Sequence, residues 1–278
     1  MNFQPWALLM AIPPGIVLGY LLWALQRENR RKKDPLTDCG LRPPGEWLRV
    51  RIEELNELMM MRLLYLLAPM FLAIISGTNS HSSMPAGIVL LLISAIFSVV
   101  AGWKLRSTLN EYRRCRLGFS GERAVGHHLN QLAAEGYRIY HDLQFEGFNI
   151  DHVLVGPSGV YSVETKTFKK GKGKTSHIID YDGKKLICPE WQNARPVEQA
   201  LRNAKHLSMW LGQSVGQPVW VVPILTLPGW WVNQTGQGGV TVLNSKQIGG
   251  FVSGRPSILS ATSIARISDQ VEQKCHLD

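Results

Sequence analysis

Asp151, Glu164 and Lys166 are the residues of this chain whose types and spacing could do chemistry together. The runs Asn149 to Val155 and Val160 to Thr167 read as strands, and Gly156-Pro157-Ser158-Gly159 between them is a compact turn sequence that predicts a hairpin. With those four residues as the loop, Val155 faces Val160, and counting back places Asp151 opposite Glu164 on one face of the sheet. Cross-strand partners have Cβ atoms about 4.5–5.5 Å apart, and like charges there repel. Two facing carboxylates flanked by Ile150, Val153, Val155 and Val163 need a counter-charge, which a divalent cation with oxygen ligands supplies. Lys166 follows Glu164 by two residues and so projects from the same face. A slip of one residue would separate the three. A structural Glu164–Lys166 salt bridge is the plainer alternative.

Other elements must bring partners to that hairpin. Ser120 reads as the N-cap of a helix running to about Glu135 and stopping at Gly136. Val125, Leu129 and Leu132 form its apolar stripe, and Glu122 lies on the same face, three residues before Val125. A first-turn acid also stabilises a helix dipole, but that role needs no inward direction. Glu122 therefore joins the candidates. Arg138 to Asp142 reads as a strand ahead of the hairpin. After it, Lys169, Lys170, Lys172 and Lys174 alternate with Gly171 and Gly173 in a basic loop suited to phosphate contact, or simply to water. That glycine-rich stretch lacks the strand-to-helix context of a dinucleotide site. Pro218 to Leu227 and Gly239 to Leu243 read as further strands, and Ser260 to Gln273 as a last helix on the domain's edge. Trp230 and Trp231 could stack on bases, although packing under a loop or contact with a membrane interface is the simpler reading.

The 278 residues carry a formal net charge of +9, which favours nucleic acid or anionic lipid as partner. Cys39, Cys115, Cys188 and Cys275 are widely separated, so spacing supports neither a zinc site nor a disulfide framework. Apolar residues concentrate before residue 105, in stretches of about 6–25, 58–76 and 85–103, each near the length needed to span a bilayer. The second is the weakest, because Arg62 lies near its start, and a buried helical hairpin in a soluble protein is the competing reading. Arg27 to Lys33, Arg49, Arg51 and Arg62 lie between the first two stretches, and Lys104, Arg106, Arg113, Arg114 and Arg116 follow the third. The loop from Gly77 to Met84 has no Lys or Arg. The positive-inside rule then puts the N-terminus outside and everything beyond Lys104 in the cytoplasm. Leu48, Ile52, Leu55 and Met59 share a helical face, which suggests an amphipathic helix lying on the membrane surface.

Gly121-Glu122-Arg123, then Asn149 to Val160, then Val163-Glu164-Thr165-Lys166, resemble the nuclease-related domain known as NERD, of the PD-(D/E)XK nuclease superfamily. Asn193, Pro196 and Gln199 resemble its later Asn-Pro-x-x-Gln element, with a departure in the spacing of Asn193 and Pro196. The resemblance covers roughly residues 117 to 230. It implies an α/β fold, a restriction-endonuclease-like mixed central sheet flanked by helices. It also implies Mg²⁺ or Mn²⁺ held by Asp151, Glu164, the Thr165 carbonyl and Glu122, with Lys166 and Gln199 directing water and phosphate.

The expected organisation is a three-span anchor over 1–104, a basic linker over 105–116 and the nuclease-like domain over 117–278. The expected function is metal-dependent hydrolysis of DNA, RNA remaining open, on the cytoplasmic side of a bacterial inner membrane. Membrane lipid and a second copy of the chain, for cutting both strands, are the other expected partners. The rivals are a tethered module that binds nucleic acid or protein without cutting, and a membrane scaffold.

Overall fold

The computed structural model describes residues 40–77, 84–171 and 177–275. Two long helices come first, α1 (Glu46–Gly77) and α2 (Met84–Asn130). The face of α1 that carries Leu48, Ile52, Leu55 and Met59 is covered by α2: Leu55 is 1% exposed, and Leu48 abuts Gly118. Arg51 reaches Glu111, its Nη2 2.5 Å from Oε1, and Arg62 Nη1 donates to the Lys104 carbonyl at 2.7 Å. The helices therefore run antiparallel. The amphipathic stripe was read correctly as a helix face, but it meets a protein partner instead of lying on a membrane surface.

The second and third apolar stretches fall on α1 and α2, which continue without a break into charged sequence at Glu46 to Glu57 and Lys104 to Arg116. Among the described residues no helix is long and apolar enough to cross a membrane. The first stretch lies outside the described residues. The structure thus gives the three-span anchor no support. The run 105–116 is the middle of α2, and Ser120 is no N-cap: its Oγ donates to the Arg116 carbonyl at 3.0 Å from inside the same helix.

A 3₁₀ turn (Gln131–Glu135) ends at Gly136, whose φ of 84° lets the chain reverse into the sheet. The main sheet is mixed, as expected, with order β1-β2-β3-β7-β9. Its strands are β1 (Arg138–Phe145), β2 (Phe148–Gly156), β3 (Gly159–Thr165), β7 (Val221–Thr226) and β9 (Thr241–Leu243). The first three form an antiparallel meander, and β3, β7 and β9 run parallel. Helix α3 (Arg195–Val215) is the crossover that parallel pairing of β3 and β7 requires. A second sheet, order β6-β5-β4-β8, is built from β4 (Ile178–Tyr181), β5 (Leu186–Cys188), β6 (Trp191–Asn193) and β8 (Trp231–Gln234). The sequence reading contained none of these four.

The β2–β3 turn is pinned on all sides. Buried Ser158 Oγ lies 2.6 Å from both Tyr137 Oη and Tyr161 Oη and donates to the Val252 carbonyl at 2.8 Å. Helix α2 and the short α4 (Ile248–Ser253) pack Val125, Leu129 and Ile248 against Leu154, Tyr161 and Val163. Helices α3 and α5 (Ala261–Cys275) pack Leu207, Leu211 and Val271 against Val153 and Val155. Helix α5 is therefore part of the main core, with Val271 and Cys275 fully buried, and not an edge element.

Candidate functional site

The hairpin register is the expected one: Val155 pairs with Val160, and the ladder continues to His152 and Val163. Asp151 and Glu164 occupy the next positions, where the ladder stops and Asp151 Oδ2 accepts from the Thr165 amide at 2.7 Å. The irregularity extends to β1. Its pairing with β2 skips Asp142 and Asp151, and Asp142 has a φ of 50°. Tyr140 and Leu143, three residues apart, lie in one apolar cluster, as do Ile150 and Val153, so the period of two is broken on both strands. That break opens the sheet at the site.

A cavity of about 670 Å³ lies there, lined by Glu122, Asp151, Glu164, Thr165, Lys166 and Gln199. These six residues inferred from the sequence are thus brought to one place. Glu164 is 1% exposed; its Oε2 accepts from Asn203 Nδ2 at 2.8 Å, and its Oε1 is 2.6 Å from Lys166 Nζ. That short ion pair is the contact of Oε1, which has no other donor. Glu122 reaches the group because Gly121 lets α2 approach the end of β3. A Cβ on Gly121 would stand 2.0 Å from Thr167 Cγ2.

Burial governs the protonation of these groups. It pushes Glu122 up to about 8, helped by the charges of Asp142 and Glu164 and opposed by Lys166. Asp151 is raised well above the usual carboxylate range by burial and by Glu164 and Glu122, against Lys166 and the Thr165 amide. Burial would lower Lys166, but Glu164 and Asp151 outweigh it, so its ammonium is held above its ordinary value. Three carboxylates face one lysine, and the surplus of negative charge is what a hard divalent cation with oxygen ligands relieves. The oxygen donors of Glu122, Asp151, Glu164 and Thr165 along one cavity are of the kind such an ion takes. Among the described residues, however, no three Asp, Glu, His or Cys side chains are gathered closely enough to hold one.

The remaining candidates divide. Asn193 stays outside the cavity: its Oδ1 accepts from the Arg195 amide at 3.0 Å, a turn that starts α3, with Pro196 in the first helical turn. Lys169 and Lys170 are exposed beyond β3, whereas Lys172 and Lys174 lie outside the described residues. Trp230 is 3% exposed and packs near Phe168, while Trp231 is 61% exposed at the start of β8.

Three contributors escaped the sequence reading. Asn203 sits one helical turn after Gln199, a spacing that could have revealed it. Fully buried Asp142 accepts from Asn149 Nδ2 at 2.7 Å and from the Trp47 amide at 3.1 Å. Trp47 itself lines the cavity from the first turn of α1, far away along the chain.

Residues 117–228 match the family of the nuclease-related domain, NERD, and such a domain is therefore found in this chain. No curated protein and no solved structure is matched. The matched span takes in Glu122, Asp151, Glu164, Lys166, Gln199 and Asn203, and leaves out α1, α4 and α5.

Proposed function

We propose that this chain is a metal-dependent nuclease that hydrolyses DNA phosphodiester bonds, held at the cytoplasmic face of a membrane. The observation that carries the reading is the buried surplus of carboxylate in one cavity, set within a nuclease-related domain. Asp151 and Glu164 would hold Mg²⁺ or Mn²⁺, with the Thr165 carbonyl and Glu122. A bound ion supplies Lewis-acid stabilisation of the charge that builds on the scissile phosphate.

Lys166, held protonated by its neighbours in the metal-free chain, would place a positive charge toward phosphate and orient the attacking water. Glu122, pushed up to about 8 in the metal-free chain, would have to release that proton to join the ion's ligands, so metal binding would be linked to pH there. Gln199 offers an amide to water or to the substrate backbone. Asn203, by donating to Oε2, fixes the carboxylate plane of Glu164. The exposed Lys169 and Lys170 are the loop's proposed phosphate contacts, with Lys172 and Lys174.

The membrane part of the proposal rests on the apolar residues that α2 leaves uncovered. Leu92, Ile96, Val99 and Trp103 are between 60% and 72% exposed, and Lys104 and Arg106 follow them directly. Glu122 lies eighteen residues beyond Lys104 on one unbroken helix, so the site would stand roughly 27 Å beyond the apolar run. Cutting both strands with one site per chain would call for a pair of chains.

The test is cleavage of plasmid, linear DNA and RNA by the full chain with Mg²⁺, Mn²⁺ or EDTA, beside Glu164→Gln. Cutting that needs both the metal and Glu164 supports the reading. Salt-sensitive binding without cutting would replace it with a binding module, and the absence of both would leave a scaffold.

A further inference from the structure

One wall of the cavity comes from outside the matched domain. The strap from Arg42 to Leu48 is fastened to the site at several points. The Arg42 amide donates to the Cys275 carbonyl at 3.1 Å, and Arg42 Nη1 lies 3.7 Å from Asp142 Oδ2. A Cβ on Gly126 would stand 2.8 Å from Pro44, and one on Gly45 would stand 2.7 Å from Phe119. The Trp47 amide then closes on Asp142 Oδ2. The backbone at Trp47 is thus fixed, yet its indole is 50% exposed at the cavity rim.

The cavity has two chemistries. Its floor is ionic, formed by Glu122, Asp151, Glu164 and Lys166, and another part of its lining is apolar, with Trp47, Leu48, Phe145 and Phe148. The two phenylalanines are already engaged: their rings stack at 5.2 Å, and Trp210 meets Phe145 edge-on. Trp47 is the large, half-exposed aromatic surface beside the ionic floor. A nucleotide presents the matching pair, a phosphate for the floor and a π-face for the indole. A base inside a duplex cannot offer that face without leaving its stack.

We propose that Trp47 is a substrate-binding residue that stacks on an unpaired base flanking the scissile phosphate, so that the site takes single-stranded DNA or a locally opened strand. The inference rests on the nuclease reading and names the substrate class of that same cavity. Stacking of a base on an aromatic side chain is tolerant of sequence, so Trp47 confers a preference for strand state and not for base identity.

The experiment measures binding by the full chain with Ca²⁺ in place of Mg²⁺ or Mn²⁺, so that the carboxylates carry a hard cation while bound and cleaved probe are scored separately. The probes are oligothymidylate, an abasic deoxyribose-phosphate oligomer of the same length, and a duplex of that length. Trp47→Ala is expected to weaken oligothymidylate binding about 10-fold, the size of one base–aromatic contact, and to leave the abasic oligomer unchanged. Trp47→Phe should retain most of the wild-type affinity, with unchanged helicity showing that the strap is intact. Equal weakening of both oligomers, or none of either, overturns the inference. Wild-type binding that favours the duplex also overturns it, while leaving a nuclease in place. A wild-type chain that binds no probe overturns the nucleic-acid reading itself, and the role of Trp47 with it.

Discussion

Asp151 and His152 are neighbours in β2, and each belongs to a buried cluster of titratable groups, yet the clusters are built on opposite principles. His152 Nδ1 lies 2.8 Å from His141 Nδ1, and His141 Nε2 lies 3.0 Å from Asn130 Oδ1. With the Asn130 oxygen accepting, His141 carries its proton on Nε2, and His152 donates to the bare His141 Nδ1. Burial lowers His141 to about 4 and His152 further below its usual value, so the pair is neutral around pH 7. The same burial acts on Glu122 and Asp151, but three carboxylates share a cavity with one lysine. One cluster is closed off from the cavity, its rings bonded to each other and to Asn130 with His152 Nε2 left unpartnered. The other opens onto that cavity, and that openness, not burial as such, marks it as the site.

The largest effect should come from breaking the open cluster. Asp151→Asn or Glu164→Gln is expected to lower DNA cleavage by on the order of 10²–10³-fold. In EDTA, Asp151→Asn should leave the melting temperature unchanged or raised, because a buried repulsion is relieved, whereas Glu164→Gln also removes the partner of Lys166 and should lower it modestly. Plasmid nicking and thermal unfolding of the same preparations check both. A melting temperature that falls as far as for a truncated core residue would make these carboxylates structural.

The hairpin that carries this cluster was legible because its turn sequence sets one register between two apolar runs. Structure adds that Pro157 and Ser158 form the tip while Gly156 and Gly159 still pair, which leaves the count unchanged. Helix α2 was not legible at its true length. Gly118 and Gly121 look like interruptions, yet they serve close approach, to Leu48 and to Thr167 respectively. The second sheet escaped because strands as short as Leu186–Cys188 and Trp191–Asn193 are below the length at which a period of two can be seen. Trp47 could not be found at all, because nothing local to its position reports a hydrogen bond to Asp142 ninety-five residues away.

Asn203 sharpens the comparison at the next level. Its amide is the donor that holds Glu164 Oε2, whereas the histidine cluster supports no catalytic group. Asn203→Ala should reduce cleavage about 10–100-fold and raise the Mg²⁺ concentration at half-maximal rate, as loss of an outer partner does at metal sites. Asn203→Asp should do more harm, since it adds a fourth carboxylate. A purely structural Asn203 would lower stability and leave the Mg²⁺ midpoint where it was.

The closed cluster can be broken too, with stability as the readout. His152→Leu leaves His141 Nδ1 without its donor and should cost about 1–3 kcal/mol by denaturant midpoint, with cleavage by the folded fraction unchanged. The His141→Leu, His152→Leu double variant should cost less than the sum of the two singles, because neither polar group then remains to be satisfied. Additive costs would mean that the two rings do not depend on each other.

The finest test uses pH, where the two clusters pull in opposite directions. Glu122 rises from its ordinary 4.5 to about 8, so the folded chain holds that proton more tightly than the unfolded chain does. Its stabilising contribution is complete below about 4.5 and is lost as pH climbs through about 8. His141 falls from 6.5 to about 4, so its contribution is complete above about 6.5 and is lost as pH drops through about 4. Between about 4.5 and 6.5 the two slopes oppose each other, and the metal-free melting temperature should be nearly flat there. Above that window it should decline by a few degrees; Glu122→Gln should remove that decline and leave the histidine slope unopposed between about 4.5 and 6.5. The double histidine variant should remove the acidic decline and let the alkaline one begin already near 4.5. Mg²⁺ binds the ionised carboxylates and so should offset the alkaline decline by mass action while leaving the acidic limb untouched. If Mg²⁺ shifted both limbs equally, the distinction between an open and a closed cluster would not hold.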